Sequence, residues 1–212
     1  MPTTLKHTYL SLLTKYSLDK LLINELWQEV ENSYSSVGRH YHTLIHLESI
    51  LLQLTVIKDK IDNWDAMLFT LFYHDIVYDV LQSDNEERSA EIALDRMRQL
   101  SVPKSTIELC QIQILATKSH STSLNDDINY FLDADLSILG QSFDLYTKYF
   151  KEVRKEYLIY LDDVYNLGRL KVLKHIISMD KIFKTAYYYD KFEAQARDNI
   201  GREIEILSSV NI

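Results

Sequence analysis

Glycine and proline are almost missing from this chain: four Gly and two Pro in 212 residues, about 3% against roughly 12% in average usage. Sandwiches, barrels and repeated βαβ units recruit these residues, with Asn and Asp, at nearly every tight turn. So sparse a supply predicts a predominantly helical chain with short polar connections. The length suits one domain with a sizeable core. A formal charge of −8 and a pI near 5.3 offer no basic footprint for nucleic acid. No run of 18 apolar residues is present to span a membrane. The first residues, Met1 to His7, lack the apolar stretch of a signal peptide. The lone Cys110 excludes an internal disulfide framework and a Cys-rich zinc site. A cytoplasmic protein is expected.

Helical periodicity recurs almost end to end, predicting helices near 4–16, 18–33, 42–58, 64–80, 85–100, 104–119, 124–139, 143–158, 163–178 and 190–208. Ser17, Asp62, Asp84, Ser123 and Ser142 stand where caps belong, and Pro103 suits a first turn. No repeat, low-complexity tract or long linker interrupts them, which favours a single domain. The segment Trp64 to Tyr73 holds only Asp65 and Thr70 as polar members, the pattern of a helix running through the middle of a fold. It leads straight into His74-Asp75. Burying such a carboxylate without a partner costs several kcal/mol, so something must compensate it.

Seven histidines are present, at 7, 40, 42, 46, 74, 120 and 175. His42 and His46 are four apart, so a helix beginning there stacks them on one face. Two imidazoles one turn apart can bind a metal, divide roles between ligand and proton donor, or simply be half-buried polar residues. Asp135 has Phe131, Leu132, Ile138 and Leu139 at −4, −3, +3 and +4, whereas Asp133 has a mixed set of neighbours. Asp135 is therefore expected to face the core and Asp133 the rim. One divalent cation could satisfy His42, His46, His74, Asp75 and Asp135 together, and that mixed N/O set suits first-row metals.

His74-Asp75, an upstream His and a downstream Ala134-Asp135 resemble the H…HD…D pattern of the HD superfamily of metal-dependent phosphohydrolases. Arg39 to His46 also resembles the YHNxxH motif of the cyclic nucleotide phosphodiesterases, a helical branch of that superfamily, with Thr43 in place of Asn. Closer still is a subgroup of small bacterial proteins described as predicted HD-superfamily metal-dependent hydrolases. Its resemblance rests on His74 to Asp79, Asp84 to Ala90, Ala116 to His120, Leu132 to Leu136 and Glu193 to Asn199. It runs from about residue 25 to the C-terminus.

The resemblance implies an all-α, single-domain helical bundle of the HD, phosphodiesterase-like type over 1–212. The metal-site core would occupy about 36–140, with C-terminal helices over 142–210 packed on it. It implies His46, His74, Asp75 and Asp135 as metal ligands and His42 as proton donor. Other HD proteins align with His42 at the ligand position, so both assignments stay open. His120 becomes a second metal ligand or a phosphate contact. Asp79, four residues beyond Asp75, would share its helical face if the helix continues and hold the attacking water or a second cation, while Glu86 either orients water or a metal-bound group or simply belongs to a solvated helix cap. Arg39, Lys118 and Asn85 are the expected substrate contacts, and Arg154 and Arg169 are further available cations.

The expected activity is hydrolysis of a phosphomonoester or phosphodiester, a nucleotide among them, by metal-activated water. The ion is a divalent metal, with Zn, Mn, Fe, Ni, Co and Mg all open. The partner is a small phosphate ester, with no nucleic acid and no membrane, and the oligomeric state is open. The alternatives are a non-catalytic metal- or nucleotide-binding regulatory protein and an HD-type di-iron oxygenase, for which His120 is the only additional histidine between the HD pair and Asp135.

Overall fold

Each predicted periodic segment forms a helix. The computed structural model describes residues 4–209, and among them are ten α-helices and no strand. These are α1 (Thr4–Leu13), α2 (Lys20–Tyr34), α3 (Leu44–Val56), α4 (Trp64–Tyr73), α5 (Asn85–Gln99), α6 (Lys104–Ala116), α7 (Asp126–Asp135), α8 (Phe143–Glu156), α9 (Asp162–Ser178) and α10 (Ala186–Ser209). None is long and apolar enough to cross a membrane. Several caps lie one or two residues beyond the expected ones. Asp19 rather than Ser17 starts α2, accepting from the amides of Leu21 and Leu22. Asn63 rather than Asp62 caps α4 through Ala66 N, and Asn125 rather than Ser123 accepts from Asp127 N and Ile128 N. Each is a short polar side chain satisfying amides that have no partner inside the helix.

The expected helix over 64–80 ends at Tyr73, and the reason is chemical. For α4 to continue, Asp79 N would have to donate to Asp75 O. Instead Arg39 Nη1 takes Asp75 O at 2.7 Å and Arg39 Nη2 takes Ile76 O at 3.0 Å. Asp79 N turns to the side chain of Asn85 at 3.0 Å. The break begins earlier still, because Asp75 N donates to the Tyr34 hydroxyl and Val77 N to Ser89 Oγ, both at 3.2 Å, rather than to the carbonyls four residues back, and the helix stops at Tyr73.

Contacts sort the chain into two compact units, Met1–Leu132 and Asp133–Ile212, with the division inside α7. In the first unit α4 is the core: Ala66 to Tyr73 are all buried. Tyr9 of α1 meets Phe72 edge-on at 4.6 Å and shares a 2.7 Å hydroxyl hydrogen bond with Tyr73. Thr70, the one polar residue in the middle of α4, donates to Ala66 O or to Gln113 of α6. Asp65 sits at the edge, held by Lys15 and Tyr16.

In the second unit α10 packs closely on the 3-10 turn Leu136–Gly140. A Cβ on Gly140 would overlap Phe192 Cβ and lie 2.7 Å from Phe192 O, so no larger residue fits. Asn199 donates to Leu139 O and Gln141 O, both at 2.8 Å. Helix α10 begins at Ala186, four residues before its expected start, and takes in the Tyr187 to Tyr189 segment. Tyr188 is buried there beside Phe183 and Phe192. Two of the available cations are spent inside this unit. Arg169 pairs with buried Glu203 at 2.8 Å, which also accepts from Tyr146, while Arg154 caps the turn after α8.

Candidate metal centre

His46 lies in the first turn of α3, where its ring is carried inward and buried. His42 precedes that helix: Thr43 is the cap and Leu44 the first helical residue, so the two imidazoles are not stacked on one helix. They are nevertheless neighbours, with ring centroids 5.6 Å apart. His74 and Asp75 close α4. Three imidazole nitrogens converge on one carboxylate oxygen. Asp75 Oδ2 lies 3.2 Å from His74 Nε2, 3.9 Å from His42 Nε2 and 4.0 Å from His46 Nε2.

His74 Nδ1 sits 3.0 Å from Leu71 O. A carbonyl can only accept, so Nδ1 carries a proton, and Nε2 is the ring nitrogen turned toward Asp75. His74 is 1% exposed, so a positive charge shared with Asp75, whether a proton on Nε2 or a bound cation, offsets the carboxylate there. His46, His74 and Asp75 each offer a ligand atom, and all three atoms lie within 4.8 Å of one another. Two imidazole nitrogens and one carboxylate oxygen fit a first-row divalent ion and leave coordination positions open. The C-terminal end of α4, the negative end of its dipole, also favours positive charge here.

Aromatic side chains hold these rings. Tyr78 stacks on His42 at 4.2 Å, Tyr41 lies 5.0 Å from His42 and 4.8 Å from His46, and Phe131 meets His74 edge-on at 5.3 Å. Tyr34 accepts from Asp75 N at 3.2 Å and lies under the Arg39 guanidinium. Tyr34, Tyr41 and Tyr78 carry no assignment from the sequence. Tyr41 and Tyr78 adjoin the His cluster and the HD pair, but apolar periodicity does not single them out.

The other predicted site residues are placed as follows. Arg39 is committed to backbone: its fork donates to His42 O, Asp75 O and Ile76 O, which ties the His42 loop to the end of α4. Asp79 is not on the face of Asp75, because the helix has ended. Its carboxylate accepts from Leu81 N at 2.9 Å, as a turn residue does. Asn85 pairs both ways with the Asp79 backbone, accepting from its amide and donating to its carbonyl. Lys118 donates to Ser83 O and Glu87, with Glu86 at 3.9 Å. The hydrogen bond to Glu87 raises the Lys118 pKa and lowers that of Glu87. His120 ends the turn after α6 in the left-handed region, φ 49°, donating its amide to Ala116 O at 3.0 Å.

The aspartate ranking is reversed. Asp133 is fully buried and accepts from Lys184 N, Thr185 N and Thr185 Oγ1 at 2.7–2.8 Å. Asp135 is half-buried. Neighbours on one helix misled here, because they do not show the backbone donors that approach Asp133 from residues 184–185. Burial pushes the Asp133 pKa up while those donors pull it down. The three gathered ligand residues all belong to the first unit. Asp135 belongs to the second, and its place in a ligand set rests on the resemblance alone.

No family model, curated protein or solved structure matches the chain.

Proposed function

We propose that this chain is a metal-dependent phosphohydrolase of the HD type, cleaving a small phosphomonoester or phosphodiester. The observation that carries the reading is the convergence of His46, His74 and His42 on Asp75 Oδ2. His46, His74 and Asp75 would hold the ion. When bound, a divalent ion acidifies water and draws charge from a phosphoryl oxygen. The remaining work falls to the protein. His42, less buried than the other two and clamped by Tyr78 and Tyr41, holds a proton for the leaving oxygen. General acid catalysis of this kind contributes about 10²–10⁴-fold. Helix α3 starts two residues after His42 and sets the positive end of its dipole there, which favours an anionic ester. Phe131 and the buried rings keep bulk water from the inner side of the site.

Elemental analysis of protein purified without chelator is expected to find a divalent metal that His74→Ala and Asp75→Ala lose. With Mn, Fe, Co, Ni, Zn or Mg added back, turnover of an aryl phosphate or a nucleotide panel is expected. His42→Ala should keep the metal and lose at least about 10²-fold in rate. Protein that holds no metal and hydrolyses nothing under any of these ions would overturn the proposal. Metal retained with every ester inert would leave a binding protein instead.

A further inference from the structure

The outer face of α9 carries uncovered aliphatic side chains. Leu161 is 79% exposed, Val164 54%, Leu167 67% and Val172 48%, and Leu158 and Ile159 in the preceding turn extend the surface. The helix cannot rotate to hide them, because Asn166, Arg169 and Leu173 on its other side are buried. Nor is the turn loose. Arg154 donates to Tyr157 O at 2.9 Å, to Tyr160 O at 3.0 Å and to Asp162 at 2.6 Å, with its guanidinium over Tyr165. A braced hairpin thus holds aliphatic side chains in water, which soluble surfaces avoid unless something docks there.

Charge says what docks. Asp162 and Asp163 open α9, while Lys171, Lys174 and His175 occupy its last two turns, so the helix is complementary to its own reverse. Turned end for end about Gly168, Val164 falls level with Val172 and Leu161 with His175. Asp163 lies beside Lys171 and Lys174, and Gly168 meets itself. Nothing lies within 4 Å of a Cβ built on Gly168, so two helices can approach closely at that point. We propose that a second copy of this chain covers this face, α9 packing antiparallel on α9 about a two-fold axis at Gly168. Such a contact is self-complementary and closes at two copies. It is independent of the metal-centre reading.

Sedimentation velocity across about 1–300 μM protein tests it, a span covering ordinary weak association. The mass is expected to climb from 25.0 kDa toward twice that value. Gly168→Gln adds bulk on an open surface and keeps helix propensity, so the dimer dissociation constant should rise about tenfold or more with the circular dichroism spectrum unchanged. Asp163→Lys should weaken the dimer by about tenfold, and adding Lys171→Glu with Lys174→Glu should restore it. That rescue reports orientation, since a parallel pair would set Asp163 against Asp163. A mass of 25.0 kDa at every concentration overturns the proposal. So does a dimer indifferent to Gly168→Gln and to the charge exchange. Flotation of a monomeric chain with phosphatidylglycerol vesicles would assign the face to lipid and overturn it as well.

Discussion

Replacing Arg39 by lysine separates two roles for one guanidinium. A phosphate contact, as the sequence alone suggests, would tolerate lysine with a rise in KM and little else. In the structure Arg39 instead bridges His42 O at 3.2 Å, Asp75 O at 2.7 Å and Ile76 O at 3.0 Å while lying over Tyr34 at 4.8 Å and Tyr78 at 5.4 Å. A lysine ammonium cannot reproduce a planar fork spread over three carbonyls and two rings. Hydrogen bonds to a charged donor contribute about 1.5–3 kcal/mol each, and a cation over an aromatic face about 0.5–1 kcal/mol. Retaining one of the three bonds, Arg39→Lys should lose about 3–6 kcal/mol, or roughly 6–24 °C in Tm for a chain of this length. Because Asp75 and His42 are both anchored by this fork, metal affinity should fall about 10–100-fold. Thermal unfolding followed by circular dichroism in chelator reads the stability change without metal linkage, and a metal titration reads the affinity. Wild-type melting together with wild-type metal affinity would refute the positioning role and return Arg39 to the substrate.

Four further outcomes follow from the packing. Gly140→Ala should destabilise by about 1–3 kcal/mol or more, because its Cβ would meet the Phe192 backbone. Gly201→Ala, with nothing within 4 Å on α10, should stabilise by about 0.5–1 kcal/mol; denaturant titrations compare the two, and equal effects would contradict the close approach. Asp133→Asn should cost about 1–3 kcal/mol, since its amide would face the Thr185 and Lys184 donors; the same titration measures it. Cys110 is buried with its thiol pushed up to about 12 by desolvation, so an aromatic disulfide reagent at pH 8 should leave native protein untouched and titrate one thiol after denaturation.

Much of the fold was legible because helices announce themselves by local periodicity. The segment from Trp64 to Tyr73, apolar nearly all round, reads as the central helix and is buried as such. The hidden parts were those decided by partners distant in sequence. Asp133 and Asp135 differ in neighbours at ±3 and ±4, yet amides some 50 residues away settle which is buried. Tyr34 supports Asp75 from 41 residues upstream, a link no spacing rule contains. His42, His46, His74 and Asp75 were recognisable as chemistry-bearing residues, while the side chains that orient them were not.

The end of α4 shows why such long-range links matter to the site. Consecutive residues on a helix point about 100° apart and do not face each other, so His74 and Asp75 cannot share one centre from the middle of a helix as readily as from its end. Here the carbonyls of Asp75 and Ile76 go to Arg39, and the Asp79 amide goes to Asn85. The Asp75 amide goes to Tyr34 and the Val77 amide to Ser89, so the backbone has already left helical geometry after Tyr73, and the Arg39 and Asn85 bonds hold the segment beyond it. Asp75 then sets its Oδ2 3.2 Å from His74 Nε2 and within 4.0 Å of His42 and His46. The same Arg39 bond to His42 O fixes the loop that brings the third imidazole to the group. Residues 76–80 remain apolar enough to suggest continued helix, so the break is imposed by these tertiary hydrogen bonds rather than by propensity. Arg39 and Asn85, expected as substrate contacts, are in this structure what holds His42, Asp75 and the segment after them in register.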